Sequence, residues 1–174
     1  VVTPAGVIVT RDFPRMAQGW DIFRLFAGAE GTLGVITEAT LHVFNYAPEN
    51  TTSAAFIFRS FEAAVEAMRI IIQAKCGKPH LFGNSDPDET DIAFRTGGFE
   101  GTLADRALQV LGFKTGSRCL MFVTVEGEKD YARFVIRKIK RKARAGKGLY
   151  IGNSPVRKWL EKRSSSAYMR DPLM

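Results

Sequence analysis

Three glycines at a spacing of three residues form the most suggestive chemical feature of this sequence. The segment 26–44 reads FAGAEGTLGVITEATLHVF, with Gly28, Gly31 and Gly34 ahead of a run of strand-forming residues. Glycine permits positive φ angles and close backbone approach, so such a loop can turn several amides toward one polar group. The segment lacks the GK[ST] of a P-loop and the GxGxxG of a dinucleotide fold. Spacing alone leaves two alternatives open, a ligand-binding loop or a plain turn.

Histidine, cysteine and acidic residues give little support to other kinds of active site. His42 and His80 are the only histidines, and neither lies near a serine or cysteine nucleophile motif. Cys76 and Cys119 are far apart, which predicts neither a disulfide framework nor a zinc site. The acids within 86–89 follow a turn and fit the first turn of a helix, where carboxylates are common, rather than a metal cluster. No catalytic residue and no metal ligand is predicted.

One stretch of the chain accounts for the whole excess of positive charge behind the formal net charge of +7. Residues 133–147 contain eight lysines and arginines and no acid, and without those eight the formal charge of the chain would be −1. A solvated helix face is one interpretation, and contact with an acidic membrane surface or nucleic acid is the other. Only Phe134 adds an aromatic side chain to this run, so no specific nucleic acid partner is predicted. The residues expected to face a sheet instead are Tyr131, Val135, Ile136, Ile139 and Ala143.

The first part of the chain predicts β-structure. Two β-like runs within 1–13 are joined by Pro4-Ala5-Gly6, which predicts a hairpin. Partial alternation of apolar and polar residues over 35–44 predicts a long, half-buried strand after the glycine loop. The polar residues 45–53 then predict a domain boundary.

Strands and helices alternate beyond that boundary. The predicted elements are a strand over 54–59, a helix capped by Ser60 and ended by Gly77, a helix starting at 85–90, a strand over 119–125, the basic helix over 128–145 and a short last helix capped by Ser154. The first helix is expected to bury a stripe at helical spacing, made of Phe61, Val65, Met68 and Ile72. This order predicts a split β-α-β arrangement with an antiparallel sheet and helices on one face.

Composition favours a globular protein. With 174 residues and 45% hydrophobic content, the chain can bury a core. No apolar run has the length of a membrane span, no leader opens the chain, and the two cysteines fit a reducing compartment, so a cytoplasmic location is predicted. The chain opens at Val1 within strand-like sequence and closes at Met174 without a terminating pattern, which suggests a piece of a longer protein.

The sequence around the glycine segment also resembles that of a known family. GTLGVITEATL, preceded by PAGVI, PRM and a GW-D segment, resembles the second half of the FAD-binding domain of the vanillyl-alcohol-oxidase superfamily. The part after Ser53 resembles the cap domain in the branch of D-lactate and glycolate dehydrogenases and alkyldihydroxyacetonephosphate synthases. The C-terminal segment RKWLEKRSSSAYMRD resembles the synthase type most.

The resemblance implies an α+β fold in two parts. Residues 1–47 would form the C-terminal part of a flavin-binding domain, and residues 54–174 part of a cap domain with an antiparallel sheet and helices on one face. FAD is the implied cofactor, held largely through the backbone of Glu30, Gly31, Thr32, Leu33, Gly34, Val35 and Ile36.

Substrate contacts are implied less completely. Arg170 matches the arginine of the family's Tyr/Ile-x-Arg-Asp word and would hold an anionic substrate through paired donors. The synthase pattern has an arginine between the positions that match Phe82 and Asn84, where this chain has Gly83. Substrate handling by that arginine is therefore not carried over.

The implied enzyme is an FAD-dependent oxidoreductase or an alkylglycerone-phosphate-synthase-like transferase. FAD would accept a hydride from a 2-hydroxy acid or act as covalent organiser of an ether-forming exchange on acyl or alkyl dihydroxyacetone phosphate. The family's pyrophosphate loops would precede Val1 and its catalytic tyrosine and histidine-rich motif would follow Met174, so the isolated chain is expected to be inactive. The intact protein is expected to form a homodimer.

Two alternatives stay open. One is a plain D-2-hydroxyacid dehydrogenase acting on D-lactate or glycolate. The other is not an enzyme but a basic module that binds nucleic acid or an acidic membrane through 133–147. Peripheral membrane contact through Arg133 to Lys147 is also compatible with the enzyme.

Overall fold

The computed structural model describes residues 1–10, 18–43 and 48–163. The chain forms two compact units, Val1–Tyr46 and Ala47–Met174. Unit 1 contains strands β1 (Val2–Thr3) and β2 (Gly6–Val7) and the short helix α1 (Phe23–Phe26). The elements of unit 2 are a 3-10 turn (Pro48–Asn50), β3 (Thr51–Phe58), α2 (Phe61–Gln73), β4 (Leu81–Asn84), α3 (Pro87–Thr96), α4 (Leu103–Val110), β5 (Cys119–Glu126), α5 (Lys129–Ala145), β6 (Leu149–Gly152) and α6 (Ser154–Lys162).

Unit 1 is organised by the predicted hairpin, which is confirmed. β1 and β2 pair antiparallel, with Val2 opposite Val7 and Thr3 opposite Gly6. The predicted long strand after the glycine loop is wrong in its described part, because only Val35 forms a bridge, to Val2, and residues 36–43 form no strand. A strand is stabilised by the ladder it joins, and β1 is only two residues long.

Unit 2 is built on a four-stranded antiparallel sheet in the order β4-β5-β3-β6. β3 and β5 form its centre and pair over their whole lengths, from Thr51 opposite Glu126 to Phe58 opposite Cys119. The order is β-α-β-β-α-β with α3 and α4 inserted before β5, which resembles the predicted split β-α-β arrangement but contains two strands, β4 and β6, that the sequence did not predict. The α+β class and the antiparallel sheet are therefore confirmed.

Helices cover both faces of this sheet, so the prediction of helices on one face is wrong. Alternate residues of β3 and β5, such as Phe56 and Met121, join the core formed with α2 and α5. Ile57 and Leu120 point the other way and pack with Phe94 of α3 and with Leu108 and Phe113. The insert between β4 and β5 has weak periodicity in the sequence, yet it supplies the second core.

The buried face of α2 also differs from the predicted stripe. Ala64, Ala67 and Ile71 are buried, whereas three of the four predicted residues, Phe61, Val65 and Ile72, are exposed and Met68 is partly buried. The buried face of α2 needs small side chains because the turn after α5 comes close to it. A Cβ built on Gly146 would lie only 2.8 Å from the Cβ of Ala67.

Side-chain caps account for two of the predicted helix starts, and α5 follows its predicted bounds without such a cap. Ser60 accepts a hydrogen bond from the amide of Ala63, as predicted, and Asp86 accepts one from Glu89. α2 ends at Gln73, before the predicted Gly77, and α6 begins at Ser154 itself, after Asn153. In α5, the predicted inward residues Val135, Ile136, Ile139 and Ala143 are buried, whereas Tyr131 is exposed.

Candidate functional site

The glycine loop of unit 1 is a tight turn in the left-handed region. The φ angles of Gly28, Glu30 and Gly31 are +85°, +49° and +82°. Glu30 is one of three non-glycine residues with positive φ in the described part of the chain. Successive residues of this kind point their amides to one side of the loop, which suits an anionic or polar ligand.

Thr32 holds this turn together. Its amide and its Oγ1 both donate to the carbonyl oxygen of Ala29, at 2.9 Å and 2.6 Å. Among the described residues, the amides of Gly31, Leu33, Gly34 and Ile36 donate to no protein group. The Thr32 hydroxyl is therefore used within the loop, and the backbone is what the loop offers to a ligand.

Gly34 joins the loop to the hairpin. A Cβ built on it would lie 2.6 Å from the carbonyl oxygen of Val2, closer than any side chain tolerates. The neighbouring Val35 exchanges two backbone hydrogen bonds with Val2, each 2.8 Å long. Glycine is thus required here by a close approach, whereas Gly31 has no atom within 4 Å of a built Cβ and borders open space.

All seven predicted cofactor-binding residues lie in this one turn. Six of them are exposed, Gly34 is partly buried, and Leu33 and Ile36 expose about half of their apolar side chains. The loop therefore combines unpaired amides with apolar side chains on an open surface. Such a surface suits a ligand with both an aromatic and a polar part.

The predicted substrate residue Arg170 falls outside the described residues, whereas Gly83, at the position where the synthase pattern has an arginine, is described. Gly83 lies in β4 opposite Phe122, and a Cβ built on it would meet no atom within 4 Å. It borders a groove of about 330 Å³ in unit 2 whose apolar lining includes Phe122 and Trp159, with Glu89 at its polar side. None of the described residues that line the groove is cationic.

A buried charge network in unit 2 is not apparent from the sequence. Arg118 is fully buried; its Nε donates to Asp91 at 3.0 Å and its Nη1 donates to Asp105. Its guanidinium also lies 4.2 Å from the centroid of the Phe94 ring. Asp105 further accepts from the amide of Gly101. The network ties α3 and α4 to the start of β5, and the three residues share no local spacing that could have revealed it.

The charges of this network shift the titration of Asp105. Burial would raise the pKa of its carboxyl, but hydrogen bonds from Arg118 and the Gly101 amide outweigh burial and leave the pKa below its ordinary value. Burial raises the pKa of the Cys119 thiol to about 11. Cys119 is therefore a structural residue rather than a nucleophile.

Two further absences apply to the described residues only. No group of three or more histidine, cysteine or acidic side chains there could hold a metal ion. Likewise, none of the described helices is long and apolar enough to cross a membrane.

Comparison with known proteins gives the context of both units. No protein-family model matches the chain. The alkyldihydroxyacetonephosphate synthase of Dictyostelium discoideum is 30% identical over 184 aligned residues, which cover 99% of this chain and 29% of that protein. A solved structure of an alkyldihydroxyacetonephosphate synthase superposes with a TM-score of 0.68 at 28% identity, covering 98% of this chain and 31% of the other.

Shorter matches extend to oxidoreductases. A probable mitochondrial D-lactate dehydrogenase of Danio rerio is 43% identical over 60 residues, 34% of this chain and 12% of that protein. Other relatives are a glycolate oxidase subunit and an FAD-linked oxidoreductase. The similarity over nearly the whole chain is to alkyldihydroxyacetonephosphate synthases, as the sequence resemblance predicts, and the chain spans less than a third of their length.

Proposed function

We propose that this chain supplies one wall of an FAD site, through unit 1, and part of a substrate-binding cap, through unit 2. The enzyme would be an alkyldihydroxyacetonephosphate-synthase-like transferase that acts on an anionic substrate. The observation that carries this proposal is the match of 99% of the chain to a synthase, together with a glycine turn whose amides are unpaired.

The residues of the loop fit a flavin cofactor. The unpaired amides of Gly31, Leu33, Gly34 and Ile36 can donate to polar groups of FAD, and the open side of Gly31 allows it to approach. FAD supplies the redox or covalent chemistry when bound, and the chain holds and orients it. Arg170 is proposed to pair with the anionic group of the substrate.

Flavin content tests the FAD wall. The polypeptide expressed from its whole coding sequence is expected to bind FAD, measured by absorbance after release from the purified protein. Gly31→Ala places a methyl group on the open side of the turn at a φ of +82°, and is expected to weaken FAD binding about tenfold, because strain and obstruction both act there.

Gly98→Ala is the matched control for backbone strain. Gly98 has a φ of +66° and open space around it, but it lies in unit 2. FAD binding should be unchanged in this variant. Absence of FAD from the wild-type protein, or equal loss in the two variants, would contradict the proposal.

A D-2-hydroxyacid dehydrogenase is the second candidate. It is favoured by the match to a D-lactate dehydrogenase and by Gly83, which leaves the groove without the arginine of the synthase pattern. Reduction of a dye with D-lactate or glycolate would select this candidate. Exchange of the acyl group of acyl-dihydroxyacetone phosphate for an alcohol would select the transferase.

A further inference from the structure

Four arginines form one stripe along the solvent side of α5. Arg133, Arg137, Arg141 and Arg144 are spaced by four, four and three residues, which places them on one face of a helix. All four are exposed. At 1.5 Å of rise per residue the stripe is about 16 Å long.

The opposite side of α5 is firmly fixed, so the stripe cannot turn inward. Ala132, Val135, Ile136, Ile139 and Ala143 are buried over almost the whole helix and pack in the core with β3 and β5. The helix is therefore a rigid support that holds the arginines in one row. We call this row, with Phe134 and Lys138 beside it, the arginine face.

Few of these charges are neutralised within the protein. In the described part of the chain, Arg133 approaches Asp130 at 3.9 Å, and Arg137, Arg141 and Arg144 make no ion pair. Asp130, at 98% exposure, is free to move away. A run of like charges on one helix is unfavourable by itself, and an anionic partner would relieve that repulsion.

One aromatic side chain lies among the charges. Phe134 is 51% exposed, and the Nζ of Lys138 lies 5.1 Å from the centroid of its ring. An apolar ring surrounded by cations suits the interface of a bilayer, where the ring enters the headgroup layer while arginines pair with lipid phosphates.

We propose that the arginine face docks on an anionic membrane surface and binds the phosphate groups of its lipids. The exposed arginines on one side of the helix can face the phosphates of a lipid surface together, and each nearby arginine adds affinity. Nucleic acid fits the face less well, because one aromatic residue gives no stacking series. The proposal does not depend on the FAD site.

Vesicle sedimentation tests the proposal with the full chain. Binding to vesicles of phosphatidylcholine and phosphatidylserine is expected, with loss at high salt and no binding to pure phosphatidylcholine. The variant with Arg133, Arg137, Arg141 and Arg144 changed to glutamine should lose about fivefold in affinity for each arginine removed. Phe134→Ser should weaken binding less than the quadruple change.

The matched control changes four exposed cations on the other helix-covered side of the sheet. Arg95, Arg106, Lys114 and Lys158, all changed to glutamine, lower the net charge equally and leave the arginine face intact. Circular dichroism checks that both variants are folded. Equal loss in the two variants, equal binding to neutral vesicles, or tighter binding to duplex DNA than to anionic vesicles would overturn the proposal.

Discussion

Unit 1 and unit 2 differ in how they bury apolar surface. All buried hydrophobic residues of the described chain lie in unit 2, and all of them except Ala55 and Val156 belong to two clusters, one on each face of the sheet. Unit 1 leaves Val7, Val9 and Trp20 exposed, the last at 87%. Its order rests on two-residue strands and a few backbone hydrogen bonds.

The difference separates stability from ligand binding. A unit with its own core resists opening, whereas short strands without a core open at little cost in free energy. Large exposed apolar side chains in unit 1 mark a surface suited to contact with another protein surface or a ligand. We therefore expect unit 1 to be stabilised by what it binds, and unit 2 to be stable through its own packing.

Removal of the buried Arg118 guanidinium should have the largest effect on the stability of unit 2. Arg118→Leu leaves the carboxylates of Asp91 and Asp105 without their partner, and should lower the unfolding free energy of unit 2 by about 3–5 kcal/mol. Chemical denaturation followed by circular dichroism measures it. Arg95→Leu, which removes an exposed pair with Glu100, should cost at most about 1 kcal/mol. Similar losses in both variants would show that the network is not decisive.

The second largest effect is expected on the pH dependence of the stability of unit 2. The folded state lowers the pKa of Asp105, so this carboxylate stabilises unit 2 above its ordinary pKa of about 4, and the contribution is lost as the pH falls through the lower folded value. Wild-type stability should thus fall more steeply below pH 4 than that of Asp105→Asn. Glu66→Gln removes an exposed carboxylate whose pKa is lowered by a hydrogen bond from Arg69, so it should reduce the slope less than Asp105→Asn does.

A change in the glycine loop should have the smallest and most local effect. Gly34→Ala forces a Cβ against the Val2 carbonyl and should open the Val2–Val35 bridge, at a cost of about 1–3 kcal/mol. Hydrogen exchange should then become about tenfold faster or more at Val2 and Val35 and stay unchanged in β5. Gly28→Ala adds strain without a clash and should leave the bridge closed. Faster exchange in β5 as well would mean that the two units are not independent.

Prediction from the sequence succeeded where one local signal was sufficient. The strong apolar period of α5, the continuous apolar run of β5 and the capping side chains of Ser60 and Asp86 each act within a few residues of the chain. The turn at Pro4-Ala5-Gly6 likewise determines its own hairpin. The glycine loop was located correctly as a turn, whereas its binding of FAD and the role of Arg170 stay predictions.

Prediction from the sequence failed where contacts with residues distant in the chain determine the conformation or the burial of a segment. The alternation over 35–44 predicts a strand, yet β1 offers a partner only to Val35. Large apolar residues of α2 were expected inside, but the close approach of Gly146 selects Ala67 and its neighbours. The weakly periodic insert became a second core layer because β3 and β5 present Ile57 and Leu120 on that face.

The sequence by itself determined the local conformations, the concentration of positive charge and the family resemblance, because these depend on neighbouring residues and their order. Only the tertiary structure decided which helix faces are buried, which arginine is enclosed by two aspartates and which four remain in a row at the surface. Those outcomes depend on contacts between residues distant in the chain, such as Arg118 with Asp91 and Asp105, and the geometry of the sheet brings those residues together.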